Sequence, residues 1–233
     1  LGLTTLQKAM LQMAVSALFL YAMYRSGFMD THLYIPFVNV SFQLHPIVYI
    51  FFAMFVMVGT DNAVNLTDGK DGLATGCTIF CTLTYAAFAY LMGHAVFANY
   101  LKVPFIPGAG EGMVFAAAVC GGCIGFLWHN CHPASMFMGD TGSLALGGAV
   151  GFLAVLVRQE VLLILVGGVF VMEAGSVMLQ VPYFKLTGKR IFPCTPIHHT
   201  FERRGWTETQ IVVRFWILSG VFALIALATL KLR

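Results

Sequence analysis

Long apolar runs separated by short polar links organise this chain. The runs lie at 6–24, 46–66, 73–92, 113–129, 143–157, 161–181 and 211–230. Most have the length a helix rising 1.5 Å per residue needs to cross a bilayer core. The pattern predicts an all-α integral membrane protein, a polytopic bundle of about seven spans. One stretch has a different period: Val38, Val40, Phe42 and Leu44 alternate with Asn39, Ser41 and Gln43, which predicts a short extracytoplasmic β-hairpin around 33–44. The link 93–112, with Pro104, Pro107 and several glycines, reads as a connector with a short surface helix. No internal repeat or soluble domain interrupts residues 1–233, which read as one bundle. The first run is too long for a signal peptide and lacks a small-residue cleavage site. Because the chain opens at Leu1, it is expected to be the carboxy-terminal portion of a longer protein.

Composition agrees with this class. Hydrophobic residues make up 59% of the 233 positions and charged residues 10%, too few charges to cover a water-soluble domain. The six cysteines add little. Cys77, Cys81, Cys120 and Cys123 fall within predicted spans, where small residues pack between helices, and no disulfide framework is expected.

The polar links are where chemistry concentrates. Asp61 to Gly72 carries four further carboxylate or amide positions, Asn62, Asn65, Asp68 and Asp71, with Gly69 and Gly72 allowing close backbone approach. A second cluster runs from Asn130 to Ser143 and includes Phe137 and Asp140, and a third, Pro196 to Glu202, holds His198 and His199. Seven spans alternate in direction, so the links between spans two and three, four and five, and six and seven emerge on one side. Parity alone therefore gathers all three clusters. Eight of the 13 Lys and Arg residues, from Lys8 to Arg214, fall on that side and five, from Arg25 to Arg233, on the other, which makes it the cytoplasmic side.

Taken singly, these residues have structural uses. Asp71 or a histidine caps a helix, Asn62 and Asn65 bond between helices, and Glu173, near the middle of a span, requires a polar partner. Their joint occurrence on one face points to a site. Hard carboxylate oxygens from Asp68, Asp71 and Asp140 suit Mg²⁺, which shares its shell with water and phosphate. Without a cation, two like charges about 4 Å apart repel by roughly 4 kcal/mol at an effective dielectric near 20. Zinc is disfavoured at this level, because no Cys/His set has finger spacing and His198-His199 is a pair of neighbours. No P-loop and no Gly-x-Ser-x-Gly elbow occurs. The basic residues Lys185, Lys189, Arg190, Arg203 and Arg204 flank the histidines and would meet lipid headgroups or a polyanionic substrate. No nucleic-acid partner is expected. A transporter reading predicts charges spread through the bilayer depth and repeated halves. The one deep acidic residue, Glu173, is poor support for it.

The stretches Asp61-Asn-Ala-Val-Asn-Leu-Thr-Asp68, Phe126-Leu-Trp-His-Asn130, Phe137-Met-Gly-Asp-Thr-Gly-Ser-Leu-Ala-Leu-Gly-Gly148, Pro196-Ile-His-His199, Gly205-Trp206 and Ala228-Thr-Leu-Lys-Leu-Arg233 resemble, in order, the polyprenyl-phosphate N-acetylhexosamine-1-phosphate transferases. Within them the likeness is to the phospho-N-acetylmuramoyl-pentapeptide branch. The resemblance implies about ten spans, so three amino-terminal spans and an adjacent aspartate pair before Gly2-Leu-Thr4 would lie outside this chain. It implies Mg²⁺-dependent transfer of phospho-N-acetylmuramoyl-pentapeptide from UDP to undecaprenyl phosphate in the bacterial inner membrane, releasing UMP and forming a lipid-linked peptidoglycan precursor. It also implies a homodimer. A rival within the family transfers N-acetylglucosamine-1-phosphate.

Carried over residue by residue, Asp140 is the metal ligand and Asp68 a catalytic or phosphate-site carboxylate. Asn65, Asp71, Asn130 and Phe137 line the nucleotide pocket, with the Phe137 ring stacking on uracil, and His198 and His199 approach the phosphates. Thr200 stands where the family commonly has a third histidine, Lys70 where an apolar residue is usual, and His129 where an aromatic is usual.

Overall fold

The computed structural model describes residues 4–37 and 40–231. The positions Gly2, Leu3, Val38, Asn39, Leu232 and Arg233, which enter the expectations above, lie outside the described residues. Helix α1 spans Thr5–Arg25, and Thr4 and Gln7 form a reciprocal capping box at its start. A hairpin follows, β1 His32–Ile35 antiparallel to β2 Val40–Gln43, with Leu33 opposite Phe42. It falls where alternation predicted it, yet every residue of β2 is exposed, so the alternation does not mark a buried face.

Six further long helices and three short ones complete the described chain: α2 Pro46–Thr67, α3 Leu73–Gly93, α4 Ala95–Leu101, α5 Glu111–Asn130, α6 Gly139–Leu156, α7 Leu163–Val166, α8 Gly168–Thr187, α9 Ile197–Arg203 and α10 Glu208–Ala228. α1, α2, α3, α5, α6 and α10 are long and apolar enough to cross a membrane. The chain is thus a polytopic all-α membrane protein. The run predicted at 161–181 departs from expectation. It breaks at Gly167 into α7 and α8, and α8 continues to Thr187, taking in Gln180, Pro182 and Lys185. With those residues and a buried Glu173, α8 falls outside the set of helices apolar enough to cross a membrane.

α3 is the best buried of the membrane-crossing helices, contributing Leu73, Cys77, Tyr85, Phe88 and Met92 to the core. α2 and α6 approach closely. A Cβ at Gly147 would stand 2.4 Å from the Asp61 Cα and one at Gly151 would stand 3.0 Å from the Met57 Cα. Two glycines four apart clear a strip along α6, so the backbones meet as small residues allow in membrane bundles. This contact sets Asn65, one turn beyond Asp61, beside the start of α6. At the far end of the molecule, Arg158 bonds Asp30 at 2.9 Å and Lys231 lies over the Tyr100 ring at 4.3 Å, so the ends without the polar clusters are likewise gathered.

Candidate active site at the polar helix ends

The three polar links do meet. Asn65 Nδ2 donates to Asp140 Oδ1 at 3.1 Å and to Ser143 Oγ at 2.9 Å, joining α2 to α6. Lys70 reaches Glu202 on α9 at 2.8 Å. The turn between α2 and α3 is held from several sides. Gly72 adopts φ +75°, a conformation that favours glycine, and its carbonyl accepts from Trp216 Nε1 of α10 at 3.2 Å. Its N–H donates to Asn130 Oδ1 at 3.2 Å, the Thr75 hydroxyl donates to the same oxygen at 2.9 Å, and Asn130 Nδ2 donates to the Met136 carbonyl at 2.9 Å. Asn130 is 3% exposed. Its amide therefore staples the α2–α3 turn to the end of α5.

A cavity of about 430 Å³ opens among these links, lined by Asn65, Asp68, Gly69, Lys70, Asp71, Asn130, Phe137, Met138, Gly139, Asp140 and Glu208. Six of the eight site residues expected from sequence line it. His198 and His199 do not. His198 is buried behind Gly69, its Nδ1 3.0 Å from the carboxylate of Glu173 and its Nε2 without a partner among the described residues. A Cβ at Gly69 would stand 2.7 Å from that Nε2, so the ring lies directly under the turn that carries Asp68. His199 lies nearer the surface, its ring centroid 4.2 Å from that of His198, and bonds Glu202 at 3.0 Å.

Four carboxylates and one ammonium line the cavity, and their electrostatics follow. Burial first, and then the negative charge of Asp140, push the Asp68 carboxyl up to about 6. Glu202, hydrogen-bonded to Lys70 and then to His199, is held down to about 2. Asp140 pairs with Lys8 of α1. Lys8 is a residue that the sequence reading used only for topology; its 132-residue separation from Asp140 left no local signal. Asp71 does not cap α3; its Oδ2 accepts from Ala134 N–H at 3.0 Å and lies 3.2 Å from His132 Nδ1. Phe137 is 78% exposed, so most of its ring is open to a ligand. Donor chemistry around Asp68 and Asp140 fits a hard divalent cation, since oxygen donors predominate and the Asp140 charge is close enough to raise Asp68.

A second cavity, about 380 Å³ and almost wholly apolar, runs between α2 and α8 past Phe52, Phe55, Val56, Phe170 and Met178. α2 therefore connects an apolar groove to the polar cavity that Asn65 lines.

Residues 1–158 match the family described as glycosyl transferase family 4. The chain belongs to glycosyl transferase family 4. Among relatives of this family member, the phospho-N-acetylmuramoyl-pentapeptide-transferase of Desulfotalea psychrophila is 53% identical over the whole of this chain and 65% of the relative. That of Methylacidiphilum infernorum is 57% identical over 78% of the chain and 50% of the relative. That of Oleidesulfovibrio alaskensis is 50% identical, again over the whole chain and 65% of the relative. The chain thus spans half to about two thirds of the length of these relatives.

Proposed function

We propose that the protein carrying this chain transfers phospho-N-acetylmuramoyl-pentapeptide from UDP to undecaprenyl phosphate, releasing UMP, with the polar cavity as its active site on the cytoplasmic face of the bacterial inner membrane. The observation that carries this reading is the convergence of Asn65, Asp68, Asp71, Asn130, Phe137 and Asp140 on one cavity, joined along α2 to an apolar groove. A polyprenyl chain in that groove would bring its phosphate to the end of α2, while the soluble nucleotide enters from water. The names of the relatives supply the transferred group, phospho-N-acetylmuramoyl-pentapeptide, and the family resemblance supplies the UDP donor and the undecaprenyl phosphate acceptor.

In this reading the exposed Phe137 ring stacks on uracil, and Asp71 lines the nucleotide pocket. Asn130 acts by holding the Asp71–Gly72 turn, since its amide is taken up by the protein. Asp68 is ionised at pH 7 yet binds a proton more firmly than an ordinary carboxylate, which suits it to accept the proton of the lipid phosphate. An oxygen of that phosphate attacks the sugar-proximal phosphorus, and the phosphorus–oxygen bond to UMP breaks. Asp140, with Asp68 beside it, would hold Mg²⁺, which when bound offsets charge on the diphosphate. Lys8 and Lys70 supply fixed positive charge at the cavity. His198 supports the turn under Asp68, and His199 acts on the cavity through Glu202, the partner of Lys70. Two copies are proposed to associate as a homodimer.

The test measures UMP release by the detergent-purified protein with undecaprenyl phosphate and Mg²⁺, offering UDP-N-acetylmuramoyl-pentapeptide or UDP-N-acetylglucosamine. Release from the first alone is expected. Release from the second alone would move the chain to the rival sugar class, and release from neither in a folded preparation would overturn the enzymatic reading.

A further inference from the structure

Residue spacing offers no zinc signature, but the fold assembles three donors from distant parts of the chain at the rim of the polar cavity. Asp71 comes from the α2–α3 turn, His132 from the α5–α6 link and Glu208 from the first turn of α10. One donor atom from each lies within 4.8 Å of the others, a grouping found here among the described residues. His132 Nδ1 stands 3.2 Å from Asp71 Oδ2 and 3.9 Å from Glu208 Oε1. Donors bound to zinc at about 2.0–2.1 Å in a tetrahedron are about 3.3 Å apart. The first pair already has that spacing, and the second needs to close by only about 0.6 Å.

The carboxylates are held before any ion arrives. Ala134 N–H bonds Asp71 Oδ2 at 3.0 Å, and Asp71 N–H bonds Glu208 Oε1 at 3.2 Å. Lys70 stands 3.9 Å from Glu208 but has its closer partner in Glu202 at 2.8 Å, which leaves Glu208 able to coordinate. The His132 side chain is 42% exposed and open to ion entry.

We propose that Asp71, His132 and Glu208 form a binding site for one divalent transition-metal ion of the zinc class, separate from the Mg²⁺ position at Asp140. An imidazole with two carboxylates favours zinc, whereas Mg²⁺ prefers oxygen alone. Three protein donors leave a coordination position for water or an anion, and Asp71 and Glu208 both line the cavity. An ion there adds positive charge next to four carboxylates. This site stands on its own geometry and does not depend on the transferase reading.

The test is zinc titration of the full-length protein in detergent, against a chromophoric indicator and with millimolar Mg²⁺ present. One zinc per chain is expected, with micromolar or tighter affinity that Mg²⁺ does not displace. His132→Asn and Glu208→Gln should each weaken binding at least tenfold. Cys131→Ser and His129→Asn, the neighbouring surface thiol and imidazole, should leave it unchanged. Cobalt in place of zinc should give d–d bands without thiolate charge-transfer absorption. Unaltered melting of zinc-free His132→Asn separates loss of a ligand from loss of fold. Absence of saturable binding at micromolar zinc, equal affinity in His132→Asn, or loss of binding in Cys131→Ser would each overturn the site.

Discussion

Gly69→Ala places a methyl group against a wall that has nowhere to go. The new Cβ would lie 2.7 Å from His198 Nε2 and 2.9 Å from Cε1, about 0.8 Å inside a normal contact of roughly 3.5 Å. An exposed side chain would rotate away, but His198 is 1% exposed. Its Nδ1 is anchored 3.0 Å from Glu173, itself fully buried in α8, and the His199 ring covers one face at 4.2 Å. The turn must give instead, and it carries Asp68 on one side and Lys70 on the other. Overpacking of this kind costs about 1–3 kcal/mol of stability. A shift near 1 Å in a group that orients reactants costs about a hundredfold in rate.

Thermal unfolding and UMP release, measured on the same detergent preparation, separate the two effects. Gly69→Ala should lower stability within that range and lower kcat/KM by one to two orders of magnitude while the protein remains folded at the assay temperature. Placing the same substitution on a His198→Ala background makes room for the methyl. There the Gly69→Ala step should cost less than about 0.5 kcal/mol, because the clash that drives it is gone. If Gly69→Ala leaves both stability and kcat/KM near the parent, or costs the same with and without His198, the buried ring is not what positions the turn.

Three other substitutions test the charges and the ring. Asp140→Asn should abolish Mg²⁺-dependent turnover, and turnover surviving near the parent level removes the metal assignment. The same change should lower the Asp68 titration, read by carboxyl ¹³C NMR without divalent cation, only modestly below about 6, because burial, the larger cause, remains. Because the folded value is raised, the Asp68 contribution to stability is full below pH 3.8 and is lost as pH rises through about 6; opposite pH dependence would contradict the burial argument. Phe137→Ala should raise KM for the UDP substrate about tenfold, as expected for loss of a stacked base, with kcat and melting temperature little changed. An unchanged KM removes the stacking role. Lys70→Met should let the Glu202 titration rise from about 2 towards 4.5, and a Glu202 that stays low would mean His199 alone holds it.

The membrane class, the long helices and the hairpin were legible in residue order because length and apolarity are local properties. A run near 20 residues long has few stable alternatives to a spanning helix in a bilayer, where backbone groups must bond within the segment. Parity then brought three links to one face, and Asn65, Asp68, Asp71, Asn130, Phe137 and Asp140 do line one cavity. What those side chains touch was decided by the tertiary structure. The family resemblance implied that His198 approaches the phosphates, whereas Glu173 draws it under the Asp68 turn. Lys8, read only as a topological charge, meets Asp140 across the bundle, and Asn130, expected to line the nucleotide pocket, uses its amide to hold the turn beside it. The run from 161 gave no local sign of where it would break, and the break at Gly167 leaves α8 to carry Glu173 to His198. Asp71, His132 and Glu208 show the same division: each is an ordinary polar residue in its own segment, and they face one another because helix packing brings three segment ends together. Periodicity acts over neighbouring turns, whereas a side chain's partner is chosen by which surfaces pack and by the need to satisfy polar groups removed from water.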